Sequence, residues 1–157
     1  MAKSAKPVQI DVTRADRKLR KAIAAMSEKE VNLLTKRAGN TLLRLNVQRI
    51  EKGIGSDGGL MKPYSPKYKA KRQATGRAVD KRTLRWTGQM MQSRLVVSVK
   101  NGIATLGWKP GKNAEKAAGN ETRTPFTQPT VKERNAVLEF VRKQVKAMVK
   151  GKKPPPK

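Results

Sequence analysis

The chain lacks several residue types on which protein chemistry commonly depends. It has no cysteine and no histidine among its 157 residues, which excludes disulfide bonds, thiolate sites and imidazole bases or metal ligands. Aromatic residues make up only 4% of the chain. No apolar run approaches the roughly 20 residues that cross a bilayer. The N-terminal MAKSAKPVQIDV has no apolar signal core, so we expect neither a membrane span nor signal-directed secretion.

Acidic residues are also scarce, and those present are scattered. No two of them are spaced to form a carboxylate site within one helix or strand, and the serines and threonines lack the histidine that usually activates them. We therefore predict a protein that is not an enzyme, with no catalytic residue, no metal site and no cofactor.

What is abundant is positive charge. The chain has 37 Lys and Arg against 11 Asp and Glu, a formal net charge of +26. Such a protein attracts polyanions without sequence preference, and this binding weakens steeply with salt. A merely solvated basic surface is one interpretation, but contact with DNA, RNA or an acidic protein is the favoured one.

Composition divides the chain into three parts. Residues 1–12 are polar and are predicted to form a flexible basic arm, residues 13–150 a single α+β domain, and residues 151–157 a disordered basic tail. Within the domain, Leu19 and Ile23 indicate a short amphipathic helix near its start.

Two capping boxes mark the starts of the longer helices. Ser27-x-x-Glu30 and Thr130-x-x-Glu133 each pair a capping hydroxyl with a glutamate three residues later, and apolar residues at helical spacing follow both. The helices are predicted at about 27–52 and about 131–149.

A β-hairpin is predicted at about 95–108. Leu95, Val97 and Val99 alternate with other residues as in a strand, and Asn101-Gly102 is typical of a type I′ turn. The polar stretch after Trp108 is predicted to contain at most one helical turn, near residues 113–118.

The densest basic segment lies between residues 62 and 85. Ser65-Pro66 indicates a helix start, which suits a short helix from 66 to about 74. Tyr64 and Tyr68 would either stack on bases or pack this loop onto the core, and packing is the favoured interpretation. Thr87 is predicted to cap a second short helix. The candidate contacts to DNA or an acidic partner are Lys62, Lys67, Lys69, Lys71, Arg72, Arg77, Lys81, Arg82 and Arg85.

The order of these motifs resembles the virion-morphogenesis, or tail-completion, family of tailed bacteriophages (head–tail joining, phage Mu G-like). That family shows a W-x-P-L-S-P-x-Y motif, a basic run, an L-R-x-T-G-x-L-x-x-S motif and a β-hairpin, with an Arg/Phe element before the C-terminal helix. In the first motif, Met61 replaces the tryptophan and Tyr64 replaces the leucine. In the second motif, Met90 replaces the first leucine after the glycine, and Arg123 and Phe126 represent the Arg/Phe element. The matching motif residues are Pro63, Ser65, Pro66, Tyr68, Leu84, Arg85, Thr87, Gly88 and Ser93.

The resemblance implies both a fold and a role. The fold would be α+β, with the small antiparallel sheet packed on the long N-terminal helix and the C-terminal helix. The role would be that of a structural virion protein, assembled in the host cytoplasm into a six-fold or twelve-fold ring in the neck or tail end. This ring would complete the tail and join it to the head connector, with neighbouring neck, connector and tail proteins and genomic double-stranded DNA as partners. A free non-specific nucleic-acid-binding protein, ribosomal or nucleoid-like, is the alternative.

Overall fold

The computed structural model describes residues 7–12, 17–84 and 88–151, which form an α+β structure as predicted. The strands are β1 (Val8–Asp11), β2 (Arg94–Lys100) and β3 (Ile103–Trp108). The helices are α1 (Arg17–Ala24), α2 (Glu28–Glu51), α3 (Pro66–Gln73), α4 (Gln89–Gln92), α5 (Lys112–Arg123) and α6 (Val131–Val149).

Both long helices begin where the capping boxes predicted. The backbone N–H of Ser27 donates to the Glu30 carboxylate over 2.9 Å and starts α2, and that of Thr130 donates to Glu133 over 2.8 Å and starts α6. These bonds satisfy amide groups that the first turn of a helix otherwise leaves unpaired. Val131, at the first position of α6, belongs to the predicted apolar stripe but is 69% exposed.

The predicted hairpin is present, with one local difference in register. Asn101 and Gly102 have φ of 51° and 73°, as a type I′ turn requires. A bulge between Val96 and Ser98 leaves Val97 without a partner in the ladder and 49% exposed. Because one extra residue reverses the alternation of side chains, Val96 packs on the core, and the predicted alternation of Leu95, Val97 and Val99 on one face is wrong.

A third strand replaces part of the predicted flexible arm. Val8–Asp11 pairs antiparallel with β3, so the described sheet has the order β1-β3-β2. Val8 and Val12 are buried. The prediction of an arm is therefore wrong for residues 8–12, because their pairing partner lies far along the chain and a four-residue strand carries little signal of its own. Residues 1–6, and 152–157 of the predicted tail, lie outside the described residues.

Helix α5 is longer than predicted. The polar stretch after β3 was expected to hold at most one turn but forms a helix from Lys112 to Arg123. Ala114, Ala117 and Ala118 bury one face of it. These small side chains give a weak apolar pattern, so tertiary packing rather than local preference stabilises the helix.

The core has two parts that share α2. In the first, α2 packs against the sheet and α6, and α1 packs on α6, through buried residues such as Leu34, Leu42 and Val141. The second part joins the end of α2 to α4, α5 and the loops beside them. Its buried residues are Ile50, Met61, Met90, Met91, Ala117 and Phe126. The second part holds the basic segment 62–84 in place against the rest of the fold. None of the helices in the described ranges is long and apolar enough to cross a membrane.

Candidate nucleic-acid or acidic-partner interface

Helix α3 carries four of the nine predicted contact residues, more than any other helix or strand. Ser65 occupies the N-cap position and Pro66 the first turn, where a missing N–H costs nothing. The helix is short and packs little, and the side chains of its three lysines are exposed. The exposed lysines of this region are Lys62, Lys67, Lys69, Lys71 and Lys81, and they are accessible to phosphates or carboxylates.

Arg72 differs from its lysine neighbours because it is only 4% exposed. Its Nε donates to the carbonyl of Ala78 over 2.9 Å, and its guanidinium lies 4.7 Å from the centre of the Tyr64 ring. These contacts hold the chain as it turns back after α3. The prediction of Arg72 as a contact to DNA or a partner is therefore corrected: it is a structural residue of this segment.

Of the other predicted arginines, two are half-buried and one lies outside the described residues. Arg77 is half-buried, and its Nη1 lies 3.4 Å from the carbonyl oxygen of Thr75. Arg82 is also half-buried, with its guanidinium 6.0 Å from the centre of the Tyr64 ring. Arg85 and the predicted cap Thr87 lie outside the described residues, and the first residue before α4 that is described, Gly88, occupies the N-cap position with φ of 85°.

The two tyrosines pack against each other. The ring centres of Tyr64 and Tyr68 are 5.1 Å apart with a tilt of 55°, a favourable arrangement for two aromatic rings. The Tyr64 hydroxyl accepts the backbone N–H of Thr83 over 3.3 Å. Together with the Arg72 guanidinium over Tyr64, these contacts leave Tyr64 little free ring surface for a nucleic-acid base. They pack the two tyrosines within the basic segment rather than on either part of the core, and Tyr68 is 37% exposed.

The two family-like motifs meet at a groove of about 890 Å³. Tyr68 and Leu84 represent the first and second motifs in its lining, and α5 supplies a further wall. Four cations line the groove, two from the basic segment and two from α5, and no aspartate or glutamate is among the lining residues that the structure describes. The lining residues are Lys62, Pro63, Tyr64, Ser65, Tyr68, Arg82, Leu84, Gly88, Gln89, Met90, Lys116, Asn120 and Arg123.

Sequence reasoning missed the α5 side of this groove. Arg123 entered only as a family-motif residue, and Lys116 did not enter at all. Both lie on a helix whose length was underestimated. The spacing of Ala114, Ala117 and Ala118, which places them on one face of a helix, is the sequence signal that would have indicated it.

Contacts below the groove fix α4 against β3 and α5. The indole Nε1 of Trp108 donates to the carbonyl of Met90 over 2.6 Å, and the Trp108 ring packs edge-on against Phe126 at 6.3 Å. Ser93, a motif residue, donates its hydroxyl to the same Met90 carbonyl over 3.0 Å. The second motif is therefore anchored to the second core.

Two buried arginines connect α2 and β2 to the loop before α6. Arg49 Nε donates to Glu133 Oε1 over 2.9 Å, and its other nitrogens donate to the carbonyls of Ile54 and Phe126 over 2.8 Å and of Gln128 over 3.2 Å. A buried guanidinium needs this many acceptors to compensate for lost water. Arg49 is therefore a structural residue, and its position in the α2 stripe gave no signal of this role.

Arg94 is the second buried arginine. It donates to Asn46 Oδ1 and to the Thr127 carbonyl over 3.1 Å, and its guanidinium lies 5.2 Å from the Trp108 ring centre. Burial lowers the pKa of Arg94 to about 10, and the charge of Glu121 opposes that shift. Arg94 thus stays charged at neutral pH and is unreachable from the surface.

In the described ranges, no three acidic side chains come together as a possible metal site. Comparisons of the chain with protein-family models, curated proteins and solved structures find no match. The family resemblance therefore depends on the sequence motifs alone.

Proposed function

We propose that this chain is a structural virion protein of a tailed phage, which acts by assembly and without turnover. Copies of it would form a ring in the neck or tail end that completes the tail and joins it to the head connector. The exposed lysines of the basic segment would face DNA or the acidic surfaces of adjoining proteins.

The observation that carries the proposal is the convergence of the two motifs. Tyr68 of the first motif and Leu84 of the second line the same cationic groove. Two motifs that are separate in the sequence but line the same surface are expected to take part in one contact. The α+β fold, with the sheet packed on the long helix, is also the one that the resemblance implies.

Charge supports a polyanion or an acidic protein as one neighbour. The formal net charge is +26, and copies brought together in a ring repel one another unless counter-charge is close. Genomic DNA in a channel would supply that counter-charge, and so would acidic faces of connector or tail proteins.

The direct test is mass spectrometry of purified phage particles, combined with electron microscopy of the purified protein. We expect the chain in the particles and rings in the images. A protein that is absent from particles, stays monomeric or dimeric and binds nucleic acid tightly in dilute salt would instead be a free nucleic-acid-binding protein.

A second measurement tests the contact to DNA. Replacing Lys67, Lys69 and Lys71 by glutamine should reduce the slope of log affinity against log salt by up to about 2.7, since each phosphate contact contributes about 0.9. A matched control replaces three exposed lysines of α6 by glutamine: Lys132, Lys143 and Lys146. Equal slopes for the two variants would contradict a DNA contact at α3.

A further inference from the structure

We propose that the groove between the basic segment and α5 binds an extended acidic segment of another protein, through Lys62, Arg82, Lys116 and Arg123. This inference rests on the proposed function and names the chemistry of one neighbour. It assigns acidic protein segments to this groove and duplex DNA to the exposed lysines of α3.

Charge is the first argument. The groove has cations on both sides and no described carboxylate in its lining. The Nε of Arg82 is covered from solvent, and within the described parts of the chain no atom accepts its proton. The charge of Arg82 is therefore not fully compensated inside the described fold, and a carboxylate in the groove would pair with its terminal nitrogens rather than with the covered Nε, an interaction stronger than a bond between neutral groups.

Shape is the second argument. A volume of about 890 Å³ lies in the range of pockets that enclose small ligands, roughly 300–1,000 Å³, so it suits a short stretch of extended peptide. Duplex DNA is a stiff rod with a persistence length of about 500 Å and does not enter such a concavity. The lysines of α3, which do not line the groove, suit a duplex better because they are exposed on a helix: Lys67, Lys69 and Lys71.

Single-stranded nucleic acid would fit the groove by size but finds little to stack on. Proteins that bind single strands present aromatic faces to successive bases. Here Tyr64 is half-buried with Arg72 over its ring, and Tyr68, packed beside it at 5.1 Å and 37% exposed, offers one stacking position in the described lining rather than a series of them. The donors of the groove therefore favour carboxylates over bases.

The occupant is not a second copy of this chain. Its 11 acidic residues are dispersed, with no acidic run. Two of them, Glu121 and Glu133, are already engaged by hydrogen bonds inside the fold. A different protein must supply the acidic segment.

The experiment compares two double variants that remove the same charge from exposed helical positions. The groove variant is Lys116→Gln with Arg123→Gln, and the control variant is Lys67→Gln with Lys69→Gln, whose side chains do not line the groove. Fluorescence anisotropy measures binding of a labelled polyglutamate peptide of about eight residues, a length of about 26 Å when extended. An oligothymidine single strand and a DNA duplex are measured in parallel.

We expect the groove variant to bind polyglutamate roughly tenfold more weakly than the unaltered protein, because it loses two charged contacts, while the control variant loses affinity for the duplex instead. Equal weakening of polyglutamate binding by both variants would overturn the proposal, because it would indicate attraction by net charge alone. A groove variant that loses oligothymidine binding more than polyglutamate binding would also overturn it. If the protein is present in particles but polyglutamate fails to distinguish the variants, the groove assignment fails and the virion role stands.

Discussion

Replacing Glu133 by glutamine is expected to destabilise the protein by about 3 kcal/mol. The carboxylate accepts from Arg49 Nε over 2.9 Å and from the Thr130 backbone N–H over 2.8 Å, and the side chains of the ion pair are each only 7% exposed. Glutamine still functions at this position of a capping box, so the helix cap is retained. What is lost is the charge opposite a buried guanidinium.

The magnitude follows from burial. Removing one partner of a buried ion pair costs about 3–5 kcal/mol because the other charge stays unpaired. Glutamine retains one acceptor oxygen, and the carbonyls around Arg49 still accept its other protons, so the lower end applies. A loss of about 3 kcal/mol corresponds to a change of roughly 150-fold in the unfolding equilibrium.

A matched control lies on the same helix. Glu139 forms an ion pair with Arg142 three residues later, but the two side chains are 57% and 42% exposed. Glu139→Gln removes the same charge from the same +26 protein, and exposed pairs of this kind contribute about 0.3–0.5 kcal/mol.

The assay is urea unfolding followed by circular dichroism and tryptophan fluorescence. Combining Glu133→Gln with Arg49→Met completes a double-mutant cycle, in which we expect a coupling energy of about 2 kcal/mol or more. A Glu133→Gln variant within about 0.5 kcal/mol of Glu139→Gln would refute the reasoning.

Three further predictions concern helix packing and capping. Gly39→Ala should destabilise the protein by about 1–3 kcal/mol, because the new Cβ would lie 2.9 Å from a methyl group of Val96. Gly119→Ala should stabilise the protein by about 0.4–1 kcal/mol, because a Cβ there meets nothing within 4 Å. Chemical denaturation measures both changes. If both glycines respond alike, the close packing of α2 on the sheet is wrong. The pKa of Glu30 is lowered by its hydrogen bonds to Ser27, so its contribution to stability is complete above its ordinary value of 4.5 and is lost as the pH falls below that value. In Glu30→Gln, unfolding free energy should depend less on pH between roughly 5 and 3, and an unchanged dependence would argue against the capping box at α2.

Much of the fold was predictable where its signals are local. A capping box requires two residues three positions apart, and a type I′ turn requires Asn-Gly between two strands. Helices α2 and α6 and the hairpin therefore form where the sequence predicts them. The short helix α3 belongs with them, because Pro66 restricts the backbone at its own position.

The candidate site was only half predictable. The basic segment is visible in composition, but which of its cations reach solvent depends on remote contacts. Arg72 is buried because its guanidinium packs on the Tyr64 ring and donates to the Ala78 carbonyl, while the neighbouring lysines remain exposed. Lys116 joins the groove only because α5 packs its alanine face on the second core.

By itself, the sequence determined the charge, the absence of histidine and cysteine chemistry, and the helices and turn that have local signals. Only the tertiary structure decided that residues 8–11 form a strand, that Arg49, Arg72 and Arg94 are structural, and that two motifs and α5 enclose one cationic groove. The physical reason is common to all three. Strand pairing, arginine burial and groove walls depend on groups far apart in the chain, and a guanidinium looks the same in sequence whether carbonyls or water surround it.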